Sequence, residues 1–379
     1  MSSTCCPANP TVARRRYTLT QYLIDQRKRY PGATGDFNAL MLDVALACKA
    51  ISRTVAFGKL AALPGQPNPA SGAAHAEGAS VAGAEGKTLA LLTNDCFTQT
   101  NSWSGHLAGM VSEELEEPYQ IPDGQPRGKY LLLFDPLDGT SNIDVNGTVG
   151  SIFSILRAPK EVVDSGRDVQ PADFLQPGSQ QVAAGYALYG PSTMLVLTVG
   201  HGVHGFTLDP SLGQFILTHP DMQIPADTQE FAINVGNARF WEPPVKRYVD
   251  ECLAGKSGER GKDFNMRYVA SRVAEAHRIL MRGGVFMHPR DTRDPASPAK
   301  LRLLYEANPI GFLIEQAGGR ASTGYEPVLQ VQPGGIHQRI GLICGSRNEV
   351  ELIERYHDEK MHNAPLRSPL FAERGLFRR

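Results

Sequence analysis

The chain has 379 residues, 41% hydrophobic and 20% charged, with a formal net charge of −1. This ordinary globular composition supports two domains and a large core. The charge balance excludes a basic nucleic-acid surface and attraction to an acidic membrane, and no apolar run of about 18 residues is present to span a bilayer. Met1 to Pro10 lacks the apolar core of a signal peptide. Six cysteines in so long a chain, two of them adjacent at Cys5 and Cys6, form no disulfide framework and read as reduced thiols in a cytoplasmic protein.

In chain order, residues 1–16, with Arg14-Arg15-Arg16, read as a disordered tail. Thr18 to Arg29 predicts a helix with Leu19, Tyr22 and Leu23 on one face. A second helix carries Phe37, Leu40, Met41, Val44, Cys48, Ile51 and Val55 at spacings of three and four, with Thr34-Gly35-Asp36 capping its start. Ala61 to Gly86 has almost no bulky apolar residue, and the segment 61–88 is expected to be a mobile loop. A helix from about Leu89 to Phe97 then leads towards Glu113.

Beyond Asn142, Ile152 to Leu156, Val182 to Tyr189, Met194 to Val199, Val203 to Leu208 and Gln214 to Leu217 are short apolar segments parted by Gly and Pro turns, a pattern that predicts an antiparallel meander. A first domain, 17–221, is therefore expected to pack helices on a large mixed sheet, with the boundary at the turn His219 to Pro225. The second, 222–379, returns to an α/β pattern. It has a helix near Pro244 to Leu253, Arg267-Tyr268-Val269 before a helix carrying Val273, Ala276 and Leu280, and a strand over Gly283 to Met287. Asn308 as N-cap and Pro309 at the first position open a helix over Ile310 to Ala317. Leu342 to Ser346 is a last strand before a terminal helix with Val350 and Ile353. The fold class is α/β (α+β): two layered domains with large mixed sheets flanked by helices.

The chemistry centres on Tyr130 to Asn142, Tyr-Leu-Leu-Leu-Phe-Asp-Pro-Leu-Asp-Gly-Thr-Ser-Asn. Its apolar run predicts a buried strand that delivers Asp135 to its end, with Pro136 turning the chain so that Asp135 and Asp138 converge. Gly139 admits a close backbone approach, and the amides of Thr140 and Ser141 then face a phosphate. By itself Asp-Pro-Leu-Asp-Gly also fits a surface turn. Two acids at the mouth of a buried strand, however, carry a desolvation cost that a cation offsets. Glu113 and Glu114 upstream and Glu306 downstream are further acids for the same point, although acid runs are commonly solvated helix faces.

Val111-Ser112-Glu113-Glu114, Gly128-Lys129-Tyr130, Phe134-Asp-Pro-Leu-Asp-Gly-Thr-Ser-Asn-Ile-Asp144 and Lys300-Leu-Arg-Leu-Leu-Tyr-Glu306 together closely resemble class I fructose-1,6-bisphosphatase, from about Leu19 to Asn348. The Asp-Pro-Leu-Asp-Gly core alone marks the wider magnesium-dependent, lithium-sensitive phosphatase superfamily; the ordered set is specific to the bisphosphatase. The resemblance implies hydrolysis of the 1-phosphate of D-fructose 1,6-bisphosphate by metal-assisted attack of water, in gluconeogenesis or the Calvin cycle. It implies two or more Mg²⁺ (or Mn²⁺) per subunit, held by Glu113, Asp135, Asp138, Glu306 and the Leu137 carbonyl. Glu114 would handle the water's proton, and Arg302 with the amides of Gly139, Thr140 and Ser141 would bind the reacting phosphate.

Around the 6-phosphate the resemblance places Asn234, Tyr268, His288 and Lys300, with Arg267 entering from a neighbouring subunit, so that a homo-oligomer, preferably a tetramer, is implied. The family's dynamic loop matches 61–88, but its usual Lys-Leu-Asp exit reads Lys87-Thr88-Leu89, without the aspartate. Two usual tyrosines are replaced by His288 and Asn237, changes that open sedoheptulose 1,7-bisphosphate as a second substrate. Thr34, Gly35, Asn38, Lys129, Tyr130 and Arg157 match the family's AMP site, with Asn38 in place of threonine. The alternatives are another superfamily phosphatase, acting on inositol or nucleotide monophosphates, and a catalytically silent sugar-phosphate-binding relative.

Overall fold

The computed structural model describes residues 16–29, 35–58, 84–294 and 299–361. The expected tail before Arg16, most of the expected loop and Thr34 lie outside these residues. Helices α1 (Leu19–Arg29), α2 (Gly35–Phe57) and α3 (Ala84–Asn101) come first. Leu40, Met41, Val44, Cys48 and Ile51 of α2 are buried, as their spacing requires. Helix α3 extends about a turn further at each end than expected, so residues 84–88 are helical and not loop. Packing outweighs the helix-breaking cost of Gly86: Phe97 stacks on Phe134 at 4.7 Å, and the Cys96 thiol donates to the Ala47 carbonyl at 3.8 Å.

Strands β1 (Leu107–Ser112), β2 (Tyr119–Gln120), β3 (Tyr130–Asp138) and β4 (Val149–Arg157), a short helix α4 (Lys160–Ser165), and strands β5 (Ala183–Tyr189), β6 (Thr193–Thr198), β7 (Val203–Asp209) and β8 (Gln214–His219) follow. The eight strands form one sheet in the order β2-β1-β3-β4-β5-β6-β7-β8. Only β1 and β3 run parallel; β4 to β8 are the antiparallel meander read from the sequence.

The strand carrying the aspartates does not end at Asp135. It continues through Pro136 to Asp138, because Asp135 pairs with Ile152 and Asp138 with Gly150, so one extra residue is inserted opposite β4. That bulge is where a central strand tolerates a residue without an N–H. The Ser151 hydroxyl donates to the Pro136 carbonyl at 2.7 Å and anchors it.

The second half contains β9 (Glu230–Ala232), α5 (Pro243–Ala254), β10 (Asn265–Met266), α6 (Arg272–Arg282), β11 (Val285–His288), β12 (Leu301–Arg302), α7 (Asn308–Gln316), β13 (Arg320–Ser322), β14 (Arg339–Ile340), β15 (Leu342–Gly345) and α8 (Arg347–Met361). Five strands form a sheet in the order β10-β9-β11-β15-β13, and β12 pairs with β14. The layers alternate. Helices α1 to α3 cover one face of the large sheet, α6 and α7 lie between its other face and the small sheet, and α5 and α8 close the far side. Two sheets sharing a middle helical layer make an α/β fold with continuous cores.

Asn308 is not an N-cap. A widened turn over Leu303–Ala307, with the Asn308 amide bonded to the Leu303 carbonyl five residues back, runs directly into α7, and Asn308 is already helical at φ −64° and ψ −52°. Asn-Pro fits both arrangements locally, and the packing of Leu303, Leu304 and Tyr305 beneath the sheet selects the wide turn.

Candidate active site

Because β1 and β3 are parallel neighbours, the residues after each strand emerge at the same edge. Ser112 pairs with Phe134, and the Glu113 amide donates to the Phe134 carbonyl at 3.1 Å, which sets Glu113 beside Asp135. The Leu137 amide donates to Asp135 Oδ1 at 3.0 Å across the bulge. Glu306 comes from the widened turn, of a type that accumulates at functional sites. Its Oε2 accepts the Arg302 amide at 2.6 Å. The carboxylates of Glu113, Asp135 and Glu306 each bring an oxygen into a group lying within 4.8 Å of one another.

The surroundings make this grouping unfavourable for bare carboxylates. Burial, then the field of Glu306, pushes Glu113 up to about 7. Burial, then the neighbouring acids, likewise raises Asp135, and burial raises Glu306. Asp135 Oδ2, Asp138 Oδ1 and Glu306 Oε1 are buried without a hydrogen bond. Hard oxygen donors with orphaned atoms converging on one point are what a divalent cation such as Mg²⁺ requires. The residues fit such an ion.

Asp138, expected as a fourth ligand, stands at the edge of this group. Its Oδ2 accepts from Ser271 Oγ at 2.7 Å and from the Val273 amide at 3.0 Å. Its Oδ1 lies 2.6 Å from Arg272 Nε, which is also 2.6 Å from Glu306 Oε1. Sequence reasoning missed Arg272. It opens α6 directly after the N-cap Ser271, a local pattern no different from that of an exposed first-turn arginine. Arg302, expected at the reacting phosphate, has Nε 3.6 Å from Glu113 and Nη1 donating to the His337 carbonyl at 3.0 Å. Glu114 is exposed beside Glu113.

Gly139 has φ +79°, and a Cβ there would lie 3.0 Å from Ser271 Cβ, so both conformation and space require glycine. Thr140 and Ser141 form a single tight turn after it. The residues expected at the remote phosphate also share one region. Asn234, Asn237 and His288 line one small cleft, and Tyr268 lies beside Asn234. Burial, then the fields of Arg272 and, more weakly, Lys300, lowers His288, so this ring is neutral near neutral pH and not a cation. Arg293 donates to the Asn237 side chain. Arg267 is half-exposed, 3.7 Å from Glu230.

At the opposite end of β3, Lys129 bridges Asp36 at the start of α2 at 2.7 Å, and Lys129 and Arg157 lie over the Tyr130 ring at 6.0 and 5.7 Å. Gly35 and Asn38 share that helical turn.

An oxygen-rich site at the mouth of parallel strands, with Arg272 and Arg302 beside it, suits a divalent cation and an anionic group together. The family model for the fructose-1,6-bisphosphatase N-terminal domain matches residues 17–220, and that for the C-terminal domain matches 224–358. The chain is 64% identical over 361 residues to the class 1 fructose-1,6-bisphosphatase of Hydrogenophilus thermoluteolus, covering 95% of this chain and 97% of the relative. It is 61% identical over 360 residues to one from Methylibium petroleiphilum, with the same coverage. The crystal structure of Leishmania major fructose-1,6-bisphosphatase in holo form superimposes with a TM-score of 0.77 at 37% identity, over 90% of this chain and 99% of that one. Its T-state structure gives the same score and identity over 91% and 99%. The chain belongs to the class 1 fructose-1,6-bisphosphatase family.

Proposed function

We propose that this chain hydrolyses the 1-phosphate of D-fructose 1,6-bisphosphate, releasing fructose 6-phosphate and phosphate. Family membership supports the reaction, and the oxygen cluster of Glu113, Asp135 and Glu306 within 4.8 Å is the observation that carries the site assignment. Glu113, Asp135, Asp138, Glu306 and the Leu137 carbonyl would hold two Mg²⁺, or Mn²⁺. Bound divalent ions supply water activation and neutralise charge on the leaving oxygen, in a reaction whose acceleration reaches on the order of 10²¹-fold.

The remaining work falls to the chain's own groups. Glu114, exposed beside Glu113, takes the proton of the attacking water. Arg302 and the amides of Gly139, Thr140 and Ser141 orient the 1-phosphate. Asn234, Tyr268, neutral His288 and Lys300 hold the 6-phosphate, and Arg267 is supplied across a subunit interface of a tetramer. Asn237 and His288 in the same cleft favour sedoheptulose 1,7-bisphosphate as a second substrate. We assign 17–221 and 222–379 as the two domains, in a cytoplasmic enzyme. The cluster of Gly35, Asn38, Lys129, Tyr130 and Arg157, with Thr34, forms an AMP site at the start of α2.

The test is phosphate release from fructose 1,6- and sedoheptulose 1,7-bisphosphate and from inositol monophosphate, with and without Mg²⁺, for wild type and Asp138→Asn. Metal-dependent release from the bisphosphates and a loss of about 10³-fold or more in the mutant are expected. Faster turnover of the monophosphate would move the chain to another superfamily activity, and no turnover of any would favour a silent binding relative.

A further inference from the structure

A cavity of about 540 Å³ lies outside every site described above. Its walls are the chain after β11, the turn after β13 and the strand β14, and it contains none of the residues assigned to metal, phosphate or AMP. The volume suits a small-molecule ligand. Val331 and Ile340 give it apolar surface, and the Tyr325 ring, tied by its hydroxyl to Glu242 Oε1 at 2.9 Å, is a fixed flat wall.

Arg290 and Arg339 both line this space, and Gly341 brings them together. A Cβ on Gly341 would lie 2.9 Å from the Arg290 amide nitrogen and 3.2 Å from Arg290 Cγ, so the arginine's backbone and stem pack directly on the glycine. Arg339 stands two residues before Gly341, and alternate residues of an extended chain project to one face, which puts Arg339 on the side where Arg290 packs. Among the described residues neither guanidinium makes an ion pair or a hydrogen bond, whereas Arg260, Arg278 and Arg320 in the same half are each paired with a carboxylate. Glu326 lines the cavity and pairs with neither arginine. Gln338 accepts the Gly334 amide through Oε1 at 2.6 Å, which leaves its Nε2 group to donate into the cavity. Two guanidinium forks without a counter-ion suit a phosphate, and a neutral donor with a carboxylate acceptor alongside suits hydroxyl groups.

We propose that this cavity is a separate binding site for a small phosphorylated polyol of sugar-monophosphate size, its phosphate taken by Arg290 and Arg339 and its hydroxyls by Gln338 and Glu326. The site shares backbone with the active site. Arg339 pairs with Arg302 across β12 and β14, and Arg290 and Ala299 stand two residues after His288 and one before Lys300. Occupancy therefore alters the KM for the bisphosphate, a consequence that rests on the phosphate assignments above; the binding itself does not.

The experiment is calorimetric titration of ribose 5-phosphate into the full chain in chelator, with fructose 1,6-bisphosphate and AMP at saturation to fill the substrate and nucleotide sites. Wild type, Arg290→Ala and Arg339→Ala are compared, with ribose as the uncharged control and melting curves to establish folding. Wild type should bind ribose 5-phosphate saturably and ribose not at all. Each alanine variant should weaken binding by about tenfold or more, the loss expected from one charge-assisted phosphate contact. Should either fail to fold, the lysine variant, which keeps charge but not the fork, should weaken binding by a smaller factor. No saturable binding by wild type, or binding unchanged in both arginine variants, would overturn the proposal. In steady-state assays with Mg²⁺, ribose 5-phosphate should change the KM for fructose 1,6-bisphosphate by about fivefold or more in wild type and by less in the variants. An equal change in all forms would overturn the coupling alone, and absence of turnover in every form would count against the function proposed above while the binding result stands.

Discussion

Ser271 binds Asp138 from the other half of the chain: its hydroxyl donates to Oδ2 at 2.7 Å and at the same time accepts the Ala274 amide at 3.2 Å as the N-cap of α6. One side chain therefore ends a helix correctly and fixes an acid of the site on β3, 133 residues away. Ser271→Ala removes both bonds. The lost cap costs about 1 kcal/mol of stability, and the looser Asp138 lowers kcat by about tenfold or more. Chemical denaturation and steady-state kinetics on one preparation check the pair of effects.

The raised carboxylates predict how metal and pH interact. In the metal-free protein Glu113 titrates near 7, above its ordinary 4.5, so folding favours its protonated form. That contribution is complete below about pH 4.5 and is lost as pH rises through about 7, amounting to on the order of 3 kcal/mol. Metal must expel these protons, so its affinity rises over the same window and binding releases protons. Melts in chelator at about pH 5 and 8, with and without Mg²⁺, should show the loss and its reversal. Glu113→Gln should flatten the chelator curve.

His277 works in the opposite direction. Burial, then the field of His219, lowers it from 6.5 to about 4, while its Nδ1 is 2.9 Å from the Tyr186 hydroxyl. The folded protein keeps this ring neutral and the unfolded chain protonates it. Stability is therefore undisturbed above about pH 6.5 and falls as pH drops towards about 4, by on the order of 3 kcal/mol. His277→Gln should lose less stability than wild type between these pH values, measured by urea unfolding.

The bridge between Lys129 and Asp36 gives the AMP assignment a handle. AMP should inhibit the wild type, and Lys129→Ala or Arg157→Ala should raise the inhibitory concentration by about tenfold or more while leaving turnover without AMP near normal, since charge-assisted phosphate contacts carry about that much. An enzyme indifferent to AMP would remove the assignment.

What was readable in the sequence was what nearest neighbours and simple periods decide. Helix α2, the meander from β4 to β8 and the apolar run before Asp135 each bury one face or a whole strand, and burial leaves a period that a reader can count. Glu113, Asp135 and Glu306 were identifiable as acids with a common purpose because their flanking motifs are those of one family. Their convergence was decided elsewhere. The parallel pairing of β1 with β3, the bulge that carries β3 through Pro136 and the wide turn beneath Glu306 all depend on partners distant in the chain. Arg272 shows the limit most clearly: at the first turn of an amphipathic helix it has the local pattern of a surface arginine, and only the layered packing of α6 against β3 and the widened turn brings it between two buried carboxylates. Local sequence sets which conformations a segment prefers, whereas long-range contacts set which charges must share one dry space.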